Sequence, residues 1–286
     1  MKHLLVLSIV LLVISLAACS PSTVAPAPTA LPVTATPRPP TDTPLPPTDT
    51  TVPATPTDTL IPTPVGGIMD DLDTLDPFMF SFSSGFSNGN PFNNGWRADH
   101  IAFSDGIMTI TLDNQNCPGS CSNKPYASGE YRTIKNYGFG RVEARFKAAK
   151  ASGVMSGSLF TYTGPSDQQP WDEVDIEILG KDPTKMQTNY YTNGVGGHET
   201  VLDLGFDASA DFHTYAFEWT AKSIQWYVDG LLVHTETGSR GALPTHPSKI
   251  MLNLWPGIGE DAWLGPLNYT APLKFQVDWI KYTPLP

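Results

Sequence analysis

The sequence predicts an all-β domain, folded as a sandwich or jelly roll of antiparallel strands. After residue 66, short runs of alternating apolar and polar residues follow one another, with turn-forming residues between them. The pair Asp229-Gly230 stands between two such runs and is typical of a two-residue hairpin turn. No segment has convincing helical periodicity, and no internal repeat is present. Many short strands without helices favour two packed sheets.

The first 19 residues have the pattern of an export signal. Lys2 and His3 precede the apolar run 4–16, which is short for a membrane span and is followed by small residues. Cys19 comes directly after Leu-Ala-Ala, an order similar to a bacterial lipoprotein processing site. We therefore expect an exported protein whose only membrane attachment is a lipid on Cys19. An ordinary signal peptide with a chance cysteine, and release from the cell, is the alternative.

Residues 20–66 form a second compositional segment. It is rich in Pro, Thr, Ala and Val, contains half of the chain's 28 prolines and has no aromatic residue. Such a segment cannot bury a core and favours an extended spacer. The predicted domains are a lipoprotein-type signal peptide (1–19), a disordered Pro/Thr-rich linker (20–66) and one β-sandwich domain (67–286), which holds every candidate catalytic residue.

Alternation within the β domain predicts where its strands lie, because a period of two is the mark of a strand with one buried face. The predicted strands are residues 107–112, 141–148, 171–180, 212–219, 224–228, 231–234, 249–255 and 275–282. Among them the run 171–180 differs from the rest, since its polar face is acidic.

The charge and motifs of the chain exclude several classes of protein. The formal net charge is −11, and no basic patch is present to neutralise phosphates, so we expect no nucleic-acid partner. No Gly-rich phosphate loop, no zinc-type Cys/His spacing and no Gly-x-Ser-x-Gly elbow occurs. Residue order alone leaves a Ser-His-Asp set open.

The run 171–180 contains the candidate catalytic residues. Trp171, Glu173, Asp175 and Glu177 fall on one face of the predicted strand, while mainly apolar residues fall on the other. A solvated acidic face with no function is the alternative explanation. Because like charges along one strand face repel each other and destabilise the fold, the pattern favours a functional site. Enzymes that hydrolyse glycosidic bonds use a carboxylic acid beside a carboxylate. Calcium binding would also use carboxylates, but these usually come from a loop.

Longer motifs extend this pattern. Residues 171–180, together with 160–165, 189–194 and 251–255, resemble the bacterial lichenases of glycoside hydrolase family 16. The resemblance implies a jelly-roll β-sandwich of the concanavalin-like kind, with two antiparallel sheets. It also implies a monomeric, retaining endo-1,3-1,4-β-glucanase that acts on β-glucan polysaccharides such as lichenan and cereal β-glucan, without a catalytic cofactor.

The resemblance also assigns roles to the acidic residues. Glu173 is expected to be the nucleophile, Glu177 the general acid/base, and Asp175 the residue that tunes both. Chemistry alone would allow the two glutamates to exchange roles. On a straight strand their Cα atoms would lie about 13 Å apart. Because a retaining pair needs carboxyl groups about 5–5.5 Å apart, we expect the strand to twist or bend.

The same resemblance implies a set of sugar-binding residues. Aromatic rings suit the C–H faces of sugars, and amides and carboxylates suit their hydroxyl groups. Each aromatic residue taken alone is more often part of a core, and we expect Trp219, Trp226 and Trp279 to be core residues. His198 is expected to be structural. The implied binding residues are Glu130, Arg132, Phe160, Trp171, Asn189, Tyr191, Glu199, Asn253 and Trp255.

A structural calcium ion is a further implication of the resemblance. Its expected ligands are the Asp278 side chain and the backbone carbonyls of Gly106 and Pro77. The segment between Pro77 and residue 90 is shorter than in the lichenases. That departure weakens the alignment of Pro77 and the sugar contacts expected from Phe86 and Asn88.

Cys117 and Cys121 are the only cysteines besides Cys19, and in an exported protein such a pair predicts a disulfide. The loop that they enclose is short, so its closure would stabilise the fold by about 2 kcal/mol. Many lichenases instead have a longer-range bridge at the positions of Asn94 and Ser128, and neither is a cysteine here. The predicted bridge therefore closes only one short local loop.

Two alternatives to the lichenase hypothesis remain at the level of sequence. A non-catalytic glucan-binding jelly roll could share the fold, but it would have no reason to keep both Glu173 and Glu177. A laminarinase-type 1,3-β-glucanase would share the chemistry. Such relatives usually have one more residue inside the carboxylate motif, and this chain lacks it.

Overall fold

The computed structural model describes residues 67–115, 117, 121, 123–270 and 272–285. The predicted signal peptide and linker lie outside these residues. Seventeen strands are present in this part of the chain. They are β1 (Ile68–Asp70), β2 (Phe80–Phe82), β3 (Asn94–Trp96), β4 (Ile101–Ser104), β5 (Ile107–Leu112), β6 (Tyr126–Ser128), β7 (Glu130–Thr133), β8 (Gly140–Lys147), β9 (Val154–Thr163), β10 (Asp172–Leu179), β11 (Lys185–Tyr191), β12 (Thr200–Asp203), β13 (His213–Trp219), β14 (Ile224–Val228), β15 (Leu231–Glu236), β16 (Lys249–Pro256) and β17 (Leu273–Pro284).

Helical structure is confined to short pieces in the described residues. One α-helix, α1, spans Asp261–Leu264, and 3-10 turns span Ala98–His100 and Pro165–Asp167. Nothing helical in the described ranges combines the length and the apolar character that a bilayer crossing requires. The expectation of an all-β domain is confirmed.

The strands form two large antiparallel sheets. The eight-stranded sheet has the order β15-β14-β13-β8-β17-β5-β4, with β1 paired to β17. The seven-stranded sheet has the order β12-β11-β10-β9-β16-β7-β2. A small third sheet pairs β3 with β6 in parallel. Each large sheet combines consecutive strands, such as β9 to β12, with neighbours that are distant in sequence, such as β8 with β17 and β9 with β16. The predicted jelly-roll sandwich is confirmed.

Every strand that alternation predicted is present, with ends that differ by at most two residues. The strands β9 and β11, of ten and seven residues, were not predicted. In β9 every residue except Tyr162 is buried, and in β11 every residue except the two at its ends is buried. A strand that is buried on both faces shows no alternation to detect. The three- and four-residue strands were missed because they are too short for a pattern.

The core lies between the sheets, and β10 contributes one face to it. Val174, Ile176 and Ile178 are fully buried there. Trp226 on β14 is also fully buried, and its Nε1 donates a hydrogen bond of 2.9 Å to the backbone oxygen of Asp175. This core tryptophan therefore fixes the middle of β10 from the opposite sheet. Trp219 is buried as expected, whereas Trp279 is only partly buried.

The predicted disulfide is present, but it does more than close a short loop, because it also packs against a neighbouring strand. Cys117 and Cys121 are bonded and both are buried. A Cβ atom on Gly95 would lie 2.4 Å from the Cys117 sulfur, so the bridge packs directly on β3. Asn94 and Ser128, where the lichenase bridge would lie, are buried at the two ends of the β3–β6 pair. The bridge supports the same small sheet from outside it.

Candidate active site

The acidic face of β10 lies in the middle of the seven-stranded sheet, and strand register explains which residues surround it. Residues directly opposite each other in an antiparallel sheet share a face. Asp175 pairs with Asn189 on β11 and with Phe160 on β9, and the row continues to Met251 and Arg132. The register therefore gathers residues that are far apart in sequence onto one face.

Two parallel rows flank this one. Glu177 lies between Gln187 and Ser158, and that row continues through Asn253 to Glu130. On the other side, Glu173 lies between Tyr191 and Tyr162. The three candidate catalytic residues thus occupy the centres of three successive cross-strand rows.

The cleft over this face consists of two adjoining hollows of about 540 and 500 Å³. Trp171 and Glu173 line both. All nine expected sugar-binding residues line the cleft, which brings together every member of that set. Phe86 and Asn88 also line it, despite the shortened segment before them. The Asn88 side-chain oxygen accepts a hydrogen bond from Trp96 Nε1 at 3.2 Å.

Trp171 stands at the junction of the two hollows. Its indole stacks on Tyr191, with ring centroids 4.5 Å apart and planes inclined by 12°. Its Nε1 donates a hydrogen bond of 2.6 Å to Glu173 Oε2. The ring is 37% exposed, so an apolar platform faces the cleft while its polar edge is bound to a carboxylate.

The three carboxyl groups on the cleft face of β10 have raised pKa values, and burial is the main cause for each. An ionised carboxylate loses its hydration when it is buried, which costs several kcal/mol. The pKa of Glu173 is raised to about 6 and that of Glu177 to about 8. The pKa of Asp175 is raised well above its ordinary value, first by burial and then by the charges of Glu173 and Glu177.

Hydrogen bonds decide which of the three carboxyl groups are protonated. Asp175 is hydrogen-bonded to Glu173, and because two carboxylates repel, the proton belongs to Asp175, whose pKa is raised further. This bond and the bond from Trp171 both lower the pKa of Glu173. At neutral pH the face therefore holds an ionised Glu173 between a protonated Asp175 and the indole, with a protonated Glu177 beyond.

Gln187 and Trp263 belong to the site but were not among the predicted residues. Gln187 Nε2 donates a hydrogen bond of 2.8 Å to Glu177 Oε2. Trp263 Nε1 in turn donates one of 3.1 Å to Gln187 Oε1, which fixes the orientation of the amide. Alternation could have found Gln187, since it precedes Asn189 and Tyr191 on the same face of β11. Trp263 lies in α1, which no sequence pattern connects with the cleft.

Ser83 is a further residue that the sequence did not reveal. Its Oγ donates a hydrogen bond of 2.5 Å to Glu130 Oε1, and Asn253 Nδ2 donates one of 3.1 Å to Glu130 Oε2. Burial nevertheless raises the pKa of Glu130. Both oxygens of this buried carboxyl group therefore have a donor, which holds it in one orientation at the cleft floor.

Asp172 lies on the opposite face of β10 and is fully buried. Its Oδ1 accepts a bond of 2.9 Å from the Asn193 backbone N–H. Its Oδ2 accepts bonds of 2.8 and 3.0 Å from the backbone N–H groups of Thr245 and His246, and lies 2.8 Å from His246 Nδ1. Burial acts to raise the pKa of Asp172, but these donors together lower it. Asp172 therefore joins β10 to the two chain segments at residues 193 and 245–246.

The comparisons with known proteins agree with this site. Residues 88–281 match the description "Glycosyl hydrolases family 16". The chain belongs to glycoside hydrolase family 16. A β-glucanase of Paenibacillus polymyxa is 52% identical to it over 202 residues, which cover 70% of this chain and 81% of the relative. The resemblance that the sequence suggested is confirmed, and this family 16 chain is a glycoside hydrolase.

Two solved structures give the same result for the fold. The Bacillus licheniformis β-glucanase is 45% identical, with a TM-score of 0.70, and covers 77% of this chain and 98% of its own. A prokaryotic β-1,3-1,4-glucanase (lichenase) from a mouse hindgut metagenome is 46% identical, with a TM-score of 0.72, and covers 77% of this chain and 99% of its own. The architecture of the family 16 domain is therefore that of these enzymes.

Family 16 glycosidases need no catalytic cofactor, so the calcium ion expected at residues Asp278, Gly106 and Pro77 concerns stability. Asp278 lies at a bulge in β17 and pairs with Arg145. The β5–β17 ladder brings the turn with Gly106 to the same edge, whereas Pro77 lies in an exposed turn. The described ranges contain no group of three or more His, Cys, Asp or Glu side chains that could hold a metal ion. One carboxylate with two carbonyls is not such a group, and calcium stays a prediction.

Proposed function

We propose that this family 16 chain is a retaining endo-1,3-1,4-β-glucanase that cleaves 1,4-β bonds in mixed-linkage glucans. One observation carries the proposal: a single strand face presents an ionised Glu173, a protonated Asp175 and a protonated Glu177 at the floor of an open cleft. The two hollows adjoin at Trp171 and Glu173, so sugars can bind on both sides of the nucleophile, which suits cleavage within a chain. The printed names of the relatives support the substrate class.

The first step would use Glu173 and Glu177 in opposite states of charge. A Glu173 carboxylate oxygen attacks C1 of the sugar, and the C1–O bond to the leaving chain breaks. Glu177 gives its proton to the leaving oxygen, which its raised pKa of about 8 allows at neutral pH. The products are a covalent glycosyl ester on Glu173 and a shortened glucan with a free hydroxyl group.

The second step would return both groups to their starting states. Glu177, now ionised, takes a proton from water, and the water oxygen attacks C1. The ester bond breaks and releases Glu173 as a carboxylate. Two inversions at C1 give net retention. The Asp175 proton donates to Glu173 before attack and after release, and so stabilises the carboxylate as leaving group.

The sugars would be held by groups on both sides of Glu173. Trp171 and Tyr191 form a stacked aromatic pair in the second hollow, beside Asn189. In the first hollow, Phe160 supplies a ring and Glu130 supplies a carboxyl group that is fixed by two donors. Rings for the C–H faces and fixed polar groups for hydroxyls match the two demands of a sugar chain.

The stereochemistry of azide products tests the two assigned roles. Glu177→Ala should lose most activity on glucan but retain more on an aryl glycoside with an acidic phenol, and azide should rescue it as the β-glycosyl azide. Glu173→Ala should give the α-glycosyl azide, because azide takes the place of the nucleophile. NMR of the products decides. Glu218→Ala, a substitution on β13 in the other sheet, is the matched control and should behave as wild type. Exchanged azide products would reverse the roles.

Linkage preference is tested by measuring reducing-sugar release from several glucans in parallel. Lichenan and barley β-glucan should be hydrolysed, whereas laminarin and carboxymethylcellulose should hardly react. The support is the compact Glu-x-Asp-x-Glu motif at residues 173–177. Comparable rates on laminarin would favour a laminarinase-type enzyme, and no rate on any glucan would leave only a binding module.

We also propose that the protein is exported and tethered as a monomer by a lipid on Cys19, with a structural calcium ion in its β domain. The leader and the Pro/Thr-rich segment in the sequence support the tether. Mass spectrometry of the mature N-terminus tests it, and light scattering tests the monomer. Chelation should lower the melting temperature without abolishing activity, since the Asp278 region belongs to the eight-stranded sheet and not to the catalytic strand.

A further inference from the structure

The connection between β15 and β16, residues 237–248, runs from the eight-stranded sheet to the seven-stranded sheet. On the way it contacts the irregular segment that precedes β12. Thr192 Oγ1 donates a hydrogen bond of 2.6 Å to the Ala242 oxygen, and Tyr190 donates one of 3.3 Å to the Gly241 oxygen. A Cβ on Gly241 would lie 2.5 Å from His198 Nε2, so the two segments are in close contact.

Arg240 makes the most extensive of these contacts. Its Nε donates a bond of 2.8 Å to Glu236 Oε1, and Glu236 is a buried carboxylate at the end of β15. Its Nη2 donates to the His198 oxygen at 2.6 Å and to Thr200 Oγ1 at 3.0 Å. Its Nη1 donates to the Glu199 oxygen at 3.2 Å. The guanidinium fork therefore spans three consecutive residues from an anchor in the other sheet.

The residue in the middle of that span is Glu199, whose side chain lines the hollow with Glu177. Asn189 Nδ2 donates a weak bond of 3.4 Å to Glu199 Oε1. Glu199 lies just before β12, which begins only at Thr200. His198 on its other side is buried and lies 2.8 Å from the Tyr190 oxygen. Arg240 bonds the backbone oxygens of both His198 and Glu199, and so it fixes the backbone from which the Glu199 side chain extends.

We propose that Arg240 is a positioning residue for Glu199, and that it connects the cleft wall beside the general acid to the eight-stranded sheet through Glu236. The inference rests on the proposed function, in which the glucan occupies the hollow that Glu199 lines. Arg240 itself lies outside both hollows of the cleft. His198 is structural in this arrangement, as expected, since Nδ1 lies 2.8 Å from the Tyr190 oxygen and its ring stacks on Tyr190.

A double-mutant cycle in the full chain tests the proposal. Arg240→Ala should lower kcat/KM on barley β-glucan about tenfold in the wild-type background, mainly through KM. In a Glu199→Gln background the same substitution should lower kcat/KM by less than about twofold, because the carboxylate that Arg240 positions is already absent. Arg240→Lys should rescue little, since one ammonium cannot span two carbonyl oxygens and a hydroxyl. If Arg240→Ala does not fold, Arg240→Gln takes its place in the cycle.

A matched arginine separates positioning from general stability. Arg141 also pairs with two carboxylates, Glu143 and Glu218, but on the eight-stranded sheet away from the cleft. Arg141→Ala should lower the melting temperature and leave kcat/KM unchanged. Arg240→Ala should change both. An Arg240 variant that alters the melting temperature alone overturns the proposal.

The alkaline limb of the pH profile provides a readout that loss of stability would not move. The negative charges of Glu173 and Glu199 raise the pKa of Glu177. The other groups around Glu177 in this hollow are the neutral Gln187 and the titratable Asp175, Tyr191 and Glu260. Displacing Glu199 should lower that pKa, so the alkaline limb of kcat/KM should move to lower pH in Arg240→Ala and further in Glu199→Gln.

The outcomes distinguish this inference from the function on which it rests. Additive effects of Arg240→Ala and Glu199→Gln, with wild-type hydrolysis of the glucan intact, overturn the positioning role alone. A Glu199→Gln variant with unchanged kcat/KM overturns it as well, because Glu199 then has no part to be positioned. Failure of the wild-type chain to hydrolyse mixed-linkage glucan would instead refute the proposed function.

Discussion

Asp172 and Asp175 lie three residues apart on β10, and both are buried, yet their pKa values shift in opposite directions. Asp172 faces a ring of donors from residues 193, 245 and 246. Asp175 faces two other carboxyl groups, Glu173 and Glu177. Burial by itself opposes the charge of both residues. The partners on each face of the strand decide the outcome.

The difference separates the structural and the chemical functions of one strand. The donor-rich face keeps a carboxylate ionised and uses it to join loops. The donor-poor face keeps a proton on Asp175 and on Glu177, ready for transfer. A buried carboxyl group that lacks donors destabilises the fold above its ordinary pKa, whereas one with a full set of donors stabilises it. Substitutions at four residues test this contrast.

The largest expected effect is that of Asp172→Asn on stability. The substitution removes the charge and turns an amide N–H₂ toward backbone donors, so it should lower the free energy of unfolding by about 3 kcal/mol at pH 7. Because the pKa of Asp172 is lowered, this stabilisation is present above the ordinary value of 3.8 and is lost as the pH falls through the folded-state pKa. Urea titrations at pH 7 and pH 3 measure it. The exposed Asp71→Asn is the control.

Glu177→Gln should have an effect of opposite sign. Glu177 keeps its proton to about pH 8, whereas an unfolded glutamate ionises near 4.5. Between these values the unfolded state binds fewer protons, so wild-type stability falls as the pH rises. The variant has no proton to lose and should exceed wild type by about 2 kcal/mol at pH 7. Equal slopes of stability against pH, from pH 5 to 8, would contradict the raised pKa.

Activity should be more sensitive to loss of the Asp175 hydrogen-bond donor than to loss of the ability of this residue to ionise. Asp175→Leu removes the proton donor to Glu173, which should raise the pKa of Glu173 and move the acidic limb of kcat/KM to higher pH by about one unit, or about 1.4 kcal/mol. Asp175→Asn keeps a donor and should leave that limb in place. If both variants move the limb equally, the bond between the two carboxyl groups is not what sets it.

The smallest expected effect is that of Trp263→Phe. The indole N–H that orients Gln187 is lost, so Gln187 should donate less firmly to Glu177. That bond lowers the pKa of Glu177, and weakening it should move the alkaline limb of kcat/KM to higher pH by a few tenths of a unit, equivalent to about 0.5 kcal/mol. Trp279→Phe on β17 is the matched control. An alkaline limb that stays in place would show that Gln187 holds its orientation unaided.

The cleft was predictable from sequence to the extent that its residues lie on recognisable motifs. The period of two placed Glu173, Asp175 and Glu177 on one face, and all nine expected sugar-binding residues line the hollows above them. Ser83 and Trp263 were missed because Ser83 directly follows the three-residue edge strand β2 and Trp263 lies in a four-residue helix. Neither segment has a period, and their contacts cross more than forty positions in sequence.

The sequence by itself determined the fold class, the strand with the three carboxyl groups and the family, because local alternation and contiguous motifs encode them. Tertiary structure alone decided which carboxyl groups are protonated, since their pKa values depend on burial and on donors from distant segments. It also decided what fixes the site: Trp226 bonds to β10 from the opposite sheet, and Arg240 spans the segment around Glu199. Contacts between residues far apart in the chain leave no periodic trace in a single sequence.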